Sequence, residues 1–273
     1  MRVGVVGAAG RMGLEVCRAV ADAEGLQLVA AVDPAAAGKS VAEVAGRSGD
    51  LPVVAAELGA LSDAGCEVVV DFTRADVSLP ALLWCAARGI HAVVGTTGFE
   101  PDAVGALRTA FAGPDGTPPG PNCVLAPNFA IGAVLMMRFA ELAAPHFDGA
   151  EIVELHHAGK RDAPSGTAVR TAERMAEARQ GAGTGPFPPD ATDQEVVAGA
   201  RGGAGPGGVR LHAVRLPGLV AHQEVVLGSA GQTLSIRHDS TDRASFMDGV
   251  VLAVRRVAEL PGLTVGLDVV LGL

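Results

Sequence analysis

An α/β chain in two parts is the fold the sequence predicts: a parallel-sheet domain followed by an α+β domain with a mixed sheet. Three observations lead there. In the first half, continuous apolar strands alternate with segments of helical spacing, the pattern of a sheet covered by helices on both faces. Beyond residue 128 that alternation stops, and from Val209 to His238 three strand-like stretches follow one another with only turn signals between them. The length, 273 residues, suits one large domain or two modest ones.

Arg2 to Val6 is a short apolar strand. Gly10 to Ala23 places Met12, Val16, Ala19 and Val20 on one helical face. Leu26 to Val32 is apolar and β-branched again, and Cys66 to Phe72 is a further buried strand. Ala75 to Ala87 reads as helix, and His91 to Val94 and Cys123 to Leu125 as strands. Past residue 128, Ile131–Leu142 is helical, Ala150–His156 a strand and Thr167–Ala178 a helix. Then come strands over Val209–Arg215, Gln223–Leu227 and Thr233–His238, broken by Pro217-Gly218 and by Gly228 to Gly231. Arg243 to Glu259 returns to helical spacing. Gly113–Pro121, Gly181–Pro189 and Gly199–Gly208 are Gly/Pro-rich loops. The predicted domains are residues 1–128 with 240–273, the last helix packing back on the first domain, and residues 129–239.

Composition narrows the function. Apolar residues make up 49% of the chain, enough for a sizeable core, and the net charge is −9. An acidic chain gains nothing from the phosphate attraction behind nucleic-acid affinity, and an anionic membrane surface is disfavoured for the same reason. No apolar run approaches the roughly 20 residues of a spanning helix, and Met1 to Gly7 does not resemble a signal peptide. Cys17, Cys66, Cys85 and Cys123 form no Cys-x-x-Cys pair and read as small buried hydrophobes in a reducing, cytoplasmic compartment.

The first strand runs into Gly7-Ala8-Ala9-Gly10-Arg11-Met12-Gly13 and a helix follows. Strand, glycine turn and helix are the context of a dinucleotide fingerprint, in which glycines let a pyrophosphate approach and the helix start offers free N–H groups. The spacing is G-x-x-G-x-x-G, a weak match alone. Asp33 strengthens it, closing the second strand about 20 residues past Gly13, where an acid can accept from ribose hydroxyls. A plain glycine turn with a strand-terminal Asp is the alternative. Gly95-Thr96-Thr97 and Ala126-Pro127-Asn128-Phe129 fall after strands, at the sheet edge where ligands bind in such folds, although either can be an ordinary turn. The first domain is thus expected to be Rossmann-type and to carry NADH or NADPH. Asp33 repels a 2′-phosphate and Pro34 cannot neutralise one, so NADH is expected to serve at least as well, with Arg11 and Lys39 the possible compensating cations.

The most informative segment is His156-His157-Ala158-Gly159-Lys160-Arg161-Asp162-Ala163-Pro164-Ser165-Gly166-Thr167-Ala168. Only Lys39 and Lys160 are lysines among the 21 basic residues. Histidine moves protons near neutral pH, and lysine adds a charge or a second donor. Ser165, Gly166 and Thr167 open a helix, whose free N–H groups suit a carboxylate, and Pro164 fits a helix start. The plain alternative is a strand-end histidine, a solvated lysine and a serine cap. A zinc site lacks a nearby third ligand, so no metal is expected.

This segment is similar to the His-His-x-x-Lys-x-Asp-Ala-Pro-Ser-Gly-Thr-Ala signature of 4-hydroxy-tetrahydrodipicolinate reductases. The glycine loop, Asp33, Gly95-Thr96-Thr97, the stretch Ala126 to Gly132 and Arg243 also resemble family positions, in the family order and over essentially the whole chain. Val214 to Glu224 resembles the actinobacterial branch. The resemblance implies reduction of a small dicarboxylate in diaminopimelate and lysine biosynthesis. It implies His156 as proton donor and acceptor, Lys160 as a second donor, and His157, Ser165, Gly166, Thr167 and Arg243 as substrate contacts. Gly7 to Met12, Asp33, Gly95 to Thr97 and Ala126 to Phe129 would line the cofactor. A homotetramer assembled through the second domain is implied as well. Many members carry a third histidine where this chain has Ala158-Gly159, which removes one possible substrate contact. Two other readings remain: a two-domain oxidoreductase of the aspartate or homoserine dehydrogenase kind, and a dinucleotide-binding regulatory protein.

Overall fold

The computed structural model describes residues 1–112 and 120–273; most of the expected loop Gly113–Pro121 lies outside the described residues. The chain divides into two compact units, Met1–Ile131 with Phe246–Leu273, and Gly132–Ser245.

The first unit builds its sheet from β1 (Arg2–Val6), β2 (Gln27–Val32), β3 (Val54–Ala55), β4 (Val68–Asp71), β5 (His91–Val94), β6 (Cys123–Leu125) and β12 (Leu263–Val265). Among the described residues these seven strands lie in the order β12-β6-β5-β4-β1-β2-β3, and every pairing is parallel. The helices are α1 (Arg11–Asp22), α2 (Val41–Ala45), α3 (Gly59–Asp63), α4 (Ala75–Ala86), α5 (Pro101–Ala110), α8 (Met247–Arg256) and α9 (Leu267–Leu271). Helix α1 lies against β1 and β2 and touches α8, which reaches β5. The opposite side of the sheet is filled by two apolar clusters. One joins Val6, Val32, Val69, Leu61 and Cys85; the other joins Leu82, Val94, Leu107, Phe111 and Leu263. Burial on both faces explains why these strands read as continuous apolar runs.

The second unit contains nearly all of α6 (Ile131–Ala143), then β7 (Gly149–His156), α7 (Gly166–Gly181), β8 (Gly203–Ala204), β9 (Arg210–Arg215), β10 (Ala221–Ser229) and β11 (Gln232–Ser240). Its sheet is mixed, in the order β11-β10-β7-β9-β8. Strand β7 runs antiparallel to β10 and parallel to β9, and β11 closes a hairpin with β10. Alternate residues of β7 and β10 are buried: Ala150, Ile152 and Glu154 opposite Leu227, Val225 and Gln223. Helix α7 covers part of this sheet with Ala168, Ala172 and Met175, all fully buried.

Some elements differ from expectation. The last helical segment is not continuous: a 3-10 turn over Arg243–Phe246 precedes α8, and another over Val257–Glu259 follows it. The Gly199–Gly208 loop contains the two-residue strand β8, because Gly203 and Ala204 pair with Leu211 and Arg210. Helix α5, which starts with Pro101 in its first turn, and strand β12 had no counterpart in the sequence reading.

Candidate functional site

In the first unit the glycine turn is drawn tight by its own backbone. Gly7 N–H donates to Val32 O at 2.9 Å and Gly10 N–H to Gly7 O at 3.0 Å. Gly7 has φ +76°, a left-handed conformation that favours glycine. A Cβ on Gly13 would lie 2.0 Å from Gly7 O, so the start of α1 can approach the turn only without a side chain. Gly10 caps α1 with no side-chain hydrogen bond, so no cap side chain occupies the first-turn N–H groups. Arg11 is exposed and Met12 half-buried.

Asp33 sits at the end of β2. One carboxylate oxygen accepts from Ala9 N–H at 2.9 Å and the other from Ala35 N–H at 3.0 Å, so the acid both ties down the turn and starts the next one. A cavity of about 650 Å³ opens beside it, lined by Gly7, Gly10, Asp33, Glu57, Arg74 and Trp84 among others. The glycine cradle, the uncapped helix start and a cavity lined by a carboxylate fit a dinucleotide.

Gly95-Thr96-Thr97 follows β5, and Ala126-Pro127-Asn128-Phe129 follows β6, at the same carboxyl edge of the sheet. A Cβ on Gly95 would meet the Phe72 ring at 2.0 Å, and Phe72 packs on Phe129 with ring centres 5.6 Å apart. Ala126 N–H donates to Val94 O at 3.0 Å, and Asn128 Oδ1 accepts from Ala130 N–H at 2.9 Å. Behind them lies Asp71, fully buried and not identified from the sequence. Its Oδ1 accepts from Thr73 N–H, Thr73 Oγ1 and Thr96 Oγ1, each at 2.8 Å. Its one sequence signal was a carboxylate closing an otherwise apolar strand.

In the second unit His156 ends β7 and Ser165 caps α7; the loop between them includes a cis Ala163–Pro164 bond. Ser165 Oγ accepts from Ala168 N–H at 3.2 Å. Space above Gly166 is open, and Thr171 Oγ1 donates to Thr167 O at 2.7 Å. Lys160 Nζ pairs with Asp162 at 2.8 and 2.9 Å, and His157 is exposed. Arg243 is exposed in its 3-10 turn.

Two residues not identified from the sequence hold this segment together. Glu154, fully buried, accepts from His156 Nδ1 at 2.5 Å, from Ser165 N–H at 3.0 Å and from both terminal nitrogens of Arg215 at 2.7 and 2.8 Å. Arg215 also donates to Asp162 O at 2.7 Å. Burial pushes the Glu154 carboxyl up, but the hydrogen bonds from Arg215 and His156 outweigh it and hold the group below the ordinary carboxylate value. Burial pulls His156 below the ordinary imidazole value, against the opposing pull of Glu154. Burial thus favours the neutral ring near pH 7. Among the described residues no His, Cys, Asp and Glu cluster is grouped to hold a metal ion.

Comparison with known proteins agrees over the whole chain. The family model "Dihydrodipicolinate reductase, N-terminus" matches residues 1–129, and its C-terminus counterpart matches residues 132–271. The chain is 52% identical to the 4-hydroxy-tetrahydrodipicolinate reductase of Nocardia farcinica, covering 98% of this chain and 97% of that one. It is 50% identical to the Mycobacterium ulcerans protein of the same name, over all of both chains. Its fold is similar to the dipicolinate-bound dihydrodipicolinate reductase of Paenisporosarcina sp. TG-14, with a TM-score of 0.82, 36% identity and 98% of each chain covered. A Mycobacterium smegmatis amine dehydrogenase, at TM-score 0.65 and 16% identity over 97% of this chain and 94% of that one, shares the fold alone. The two family halves, the glycine cradle and the His156–Ser165 segment place this chain in the dihydrodipicolinate reductase family, as an enzyme that uses a nicotinamide cofactor.

Proposed function

We propose that this chain reduces 4-hydroxy-tetrahydrodipicolinate to tetrahydrodipicolinate with NADH or NADPH, releasing water, in diaminopimelate and lysine biosynthesis. The observation that carries the reading is the second-unit cluster: a histidine and an open helix start held on one buried carboxylate, Glu154, with the Lys160 loop tied to the same carboxylate through Arg215. The substrate carries two carboxylates and gains a hydride and a proton. Gly7 to Met12, Asp33, Gly95 to Thr97 and Ala126 to Phe129 of the first unit would hold a nicotinamide coenzyme, which when bound would supply the hydride. His156 exchanges the proton at the ring, and Lys160 is a second donor. The N–H groups of Gly166 and Thr167, with the Ser165 hydroxyl, receive a carboxylate at the positive end of α7, and His157 and Arg243 make further substrate contacts. That the Paenisporosarcina relative binds dipicolinate, a planar dicarboxylate, supports this class of ligand.

NADH serves this chain at least as well as NADPH. Two carboxylates, Asp33 and Glu57, line the cavity where a 2′-phosphate would arrive, while its Arg74 is already paired with Asp76 at 2.6 Å. The test generates the substrate enzymatically in situ and follows loss of reduced-nicotinamide absorbance with each coenzyme. Consumption that needs both substrate and protein is expected, with kcat/KM for NADH equal to or above that for NADPH. No consumption from protein that binds NADH would sink the proposed reaction. A homotetramer is the proposed assembly, supported by the exposed edge strand β11 of the second unit; light scattering at a monomer mass would refute it.

A further inference from the structure

We propose that Glu154 is a positioning residue of this reaction: it fixes the His156 tautomer that carries its proton on Nδ1, leaves Nε2 as the working nitrogen, and couples that imidazole to the carboxylate-receiving start of α7. The proposal rests on the reading of His156 as the proton donor.

The geometry assigns the role. Strand register places Glu154 and His156 two residues apart on one face of β7, opposite Gln223 and Ala221 of β10 and Ala213 and Arg215 of β9. The apolar face formed by Ala150, Ile152, Val225 and Leu227 ends at this level, where Glu154 remains fully buried. An ionised carboxylate only accepts hydrogen bonds. The 2.5 Å contact to His156 Nδ1 therefore has the proton on the imidazole, and Nε2 is free of that role. The same carboxylate takes Ser165 N–H, the backbone donor at the N-cap of α7. Arg215 grips both carboxylate oxygens in a bidentate pair and then reaches Asp162 O in the Lys160 loop. One buried acid thus sets the imidazole, the helix start and, through Arg215, the lysine loop.

The residue type follows. Every group that touches Glu154 is a donor, so a glutamine there turns its amide N–H groups against at least one of them. Aspartate is one methylene short of partners on three separate elements. The charged groups around His156 are Glu154 on its own strand, Arg215 on β9, and Lys160 with its partner Asp162 in the following loop; β10 presents the uncharged Ala221. Glu154 favours the imidazolium, whereas Lys160 and Arg215 disfavour it.

These opposing signs make the test. The Cε1–H resonance of His156, assigned by its loss in His156→Asn, is titrated in the full-length enzyme, in Glu154→Gln and in Arg215→Gln, beside the pH profile of kcat/KM. Glu154→Gln is expected to lower the His156 pKa by about one unit or more and to move the alkaline limb of the profile down with it. Arg215→Gln is expected to move both upward. Either variant suffices if the other does not fold. A profile that falls in height with an unmoved limb and an unmoved resonance would reduce Glu154 to a packing residue and overturn the proposal. Full turnover in His156→Ala would instead sink the proton-donor reading, and the resonance would still report whether Glu154 governs the ring.

Discussion

At Gly13 a single methyl group is too much. Its Cβ would lie 2.0 Å from a backbone carbonyl, which cannot swing aside as a flexible side chain does. Gly13→Ala should therefore cost about 1–3 kcal/mol of stability and weaken NADH binding at least tenfold, measured by urea unfolding and by nicotinamide fluorescence. His156→Ala and Lys160→Ala should each lower kcat by about 100-fold or more while NADH affinity stays near that of the parent; full turnover in either would remove that residue's role. The four cysteines report burial. Cys17, Cys66 and Cys85 are pushed up to about 12 by burial, and Cys123 is raised for the same reason. An aromatic disulfide reagent at pH 8 should find no reactive thiol in the folded protein and four in urea. At this scale the sequence spoke clearly where chemistry needs an unusual residue type, as in the glycine turn and the His156 to Thr167 segment. It was silent on Glu154, Arg215 and Asp71. Their roles come from strand register and burial, which bring together partners as far apart as Glu154 and Arg215.

Helix α7 shows what a single element adds. Ser165 caps it, Glu154 takes the cap residue's own N–H, and Gln223 donates to Thr171 Oγ1 at 2.8 Å to pin its second turn. Ser165→Ala removes the hydroxyl that accepts from Ala168 N–H and should cost about 1 kcal/mol. Because the same hydroxyl belongs to the proposed carboxylate site, KM for the substrate should rise more than kcat falls; a variant with lower stability and unchanged KM would separate the cap from the site. Long elements such as α1 and α7 were legible because burial imposes a period on them. The three residues of β12 are too few to show one, and they follow Pro261-Gly262, which reads as a turn. Helix α5 carries only Leu107 as a fully buried residue, so its apolar stripe is faint.

Over the whole molecule, protonation sets where the fold is strongest. His91, His156 and His238 all lie below the ordinary imidazole value of 6.5, chiefly because burial disfavours the charged ring. Each takes up its proton more readily in the unfolded chain, so stability declines as pH falls below 6.5 and levels off once the folded rings protonate too. Glu151 and Glu154 lie below the ordinary value of 4.5, their hydrogen bonds to Arg and His outweighing the cost of burial. Their contribution is present above pH 4.5 and is lost as pH falls through the folded values. Urea midpoints should be highest near pH 7.5, lower at pH 5.5 and lower again at pH 3.5; a midpoint unchanged from 7.5 to 5.5 would contradict the assignment. The first unit carries a further consequence, for the order of assembly during synthesis. Strand β6 is flanked on one side by β12, with Cys123 opposite Leu263, and Asn122 accepts from Gly262 N–H at 3.0 Å. A ribosome must therefore make the entire second unit before β6 can receive its outer neighbour, and closing so long a loop is slow. The second unit has all its strands in hand by Ser240, so on the nascent chain it can finish folding while the sheet begun by β1 is still waiting for its last strand.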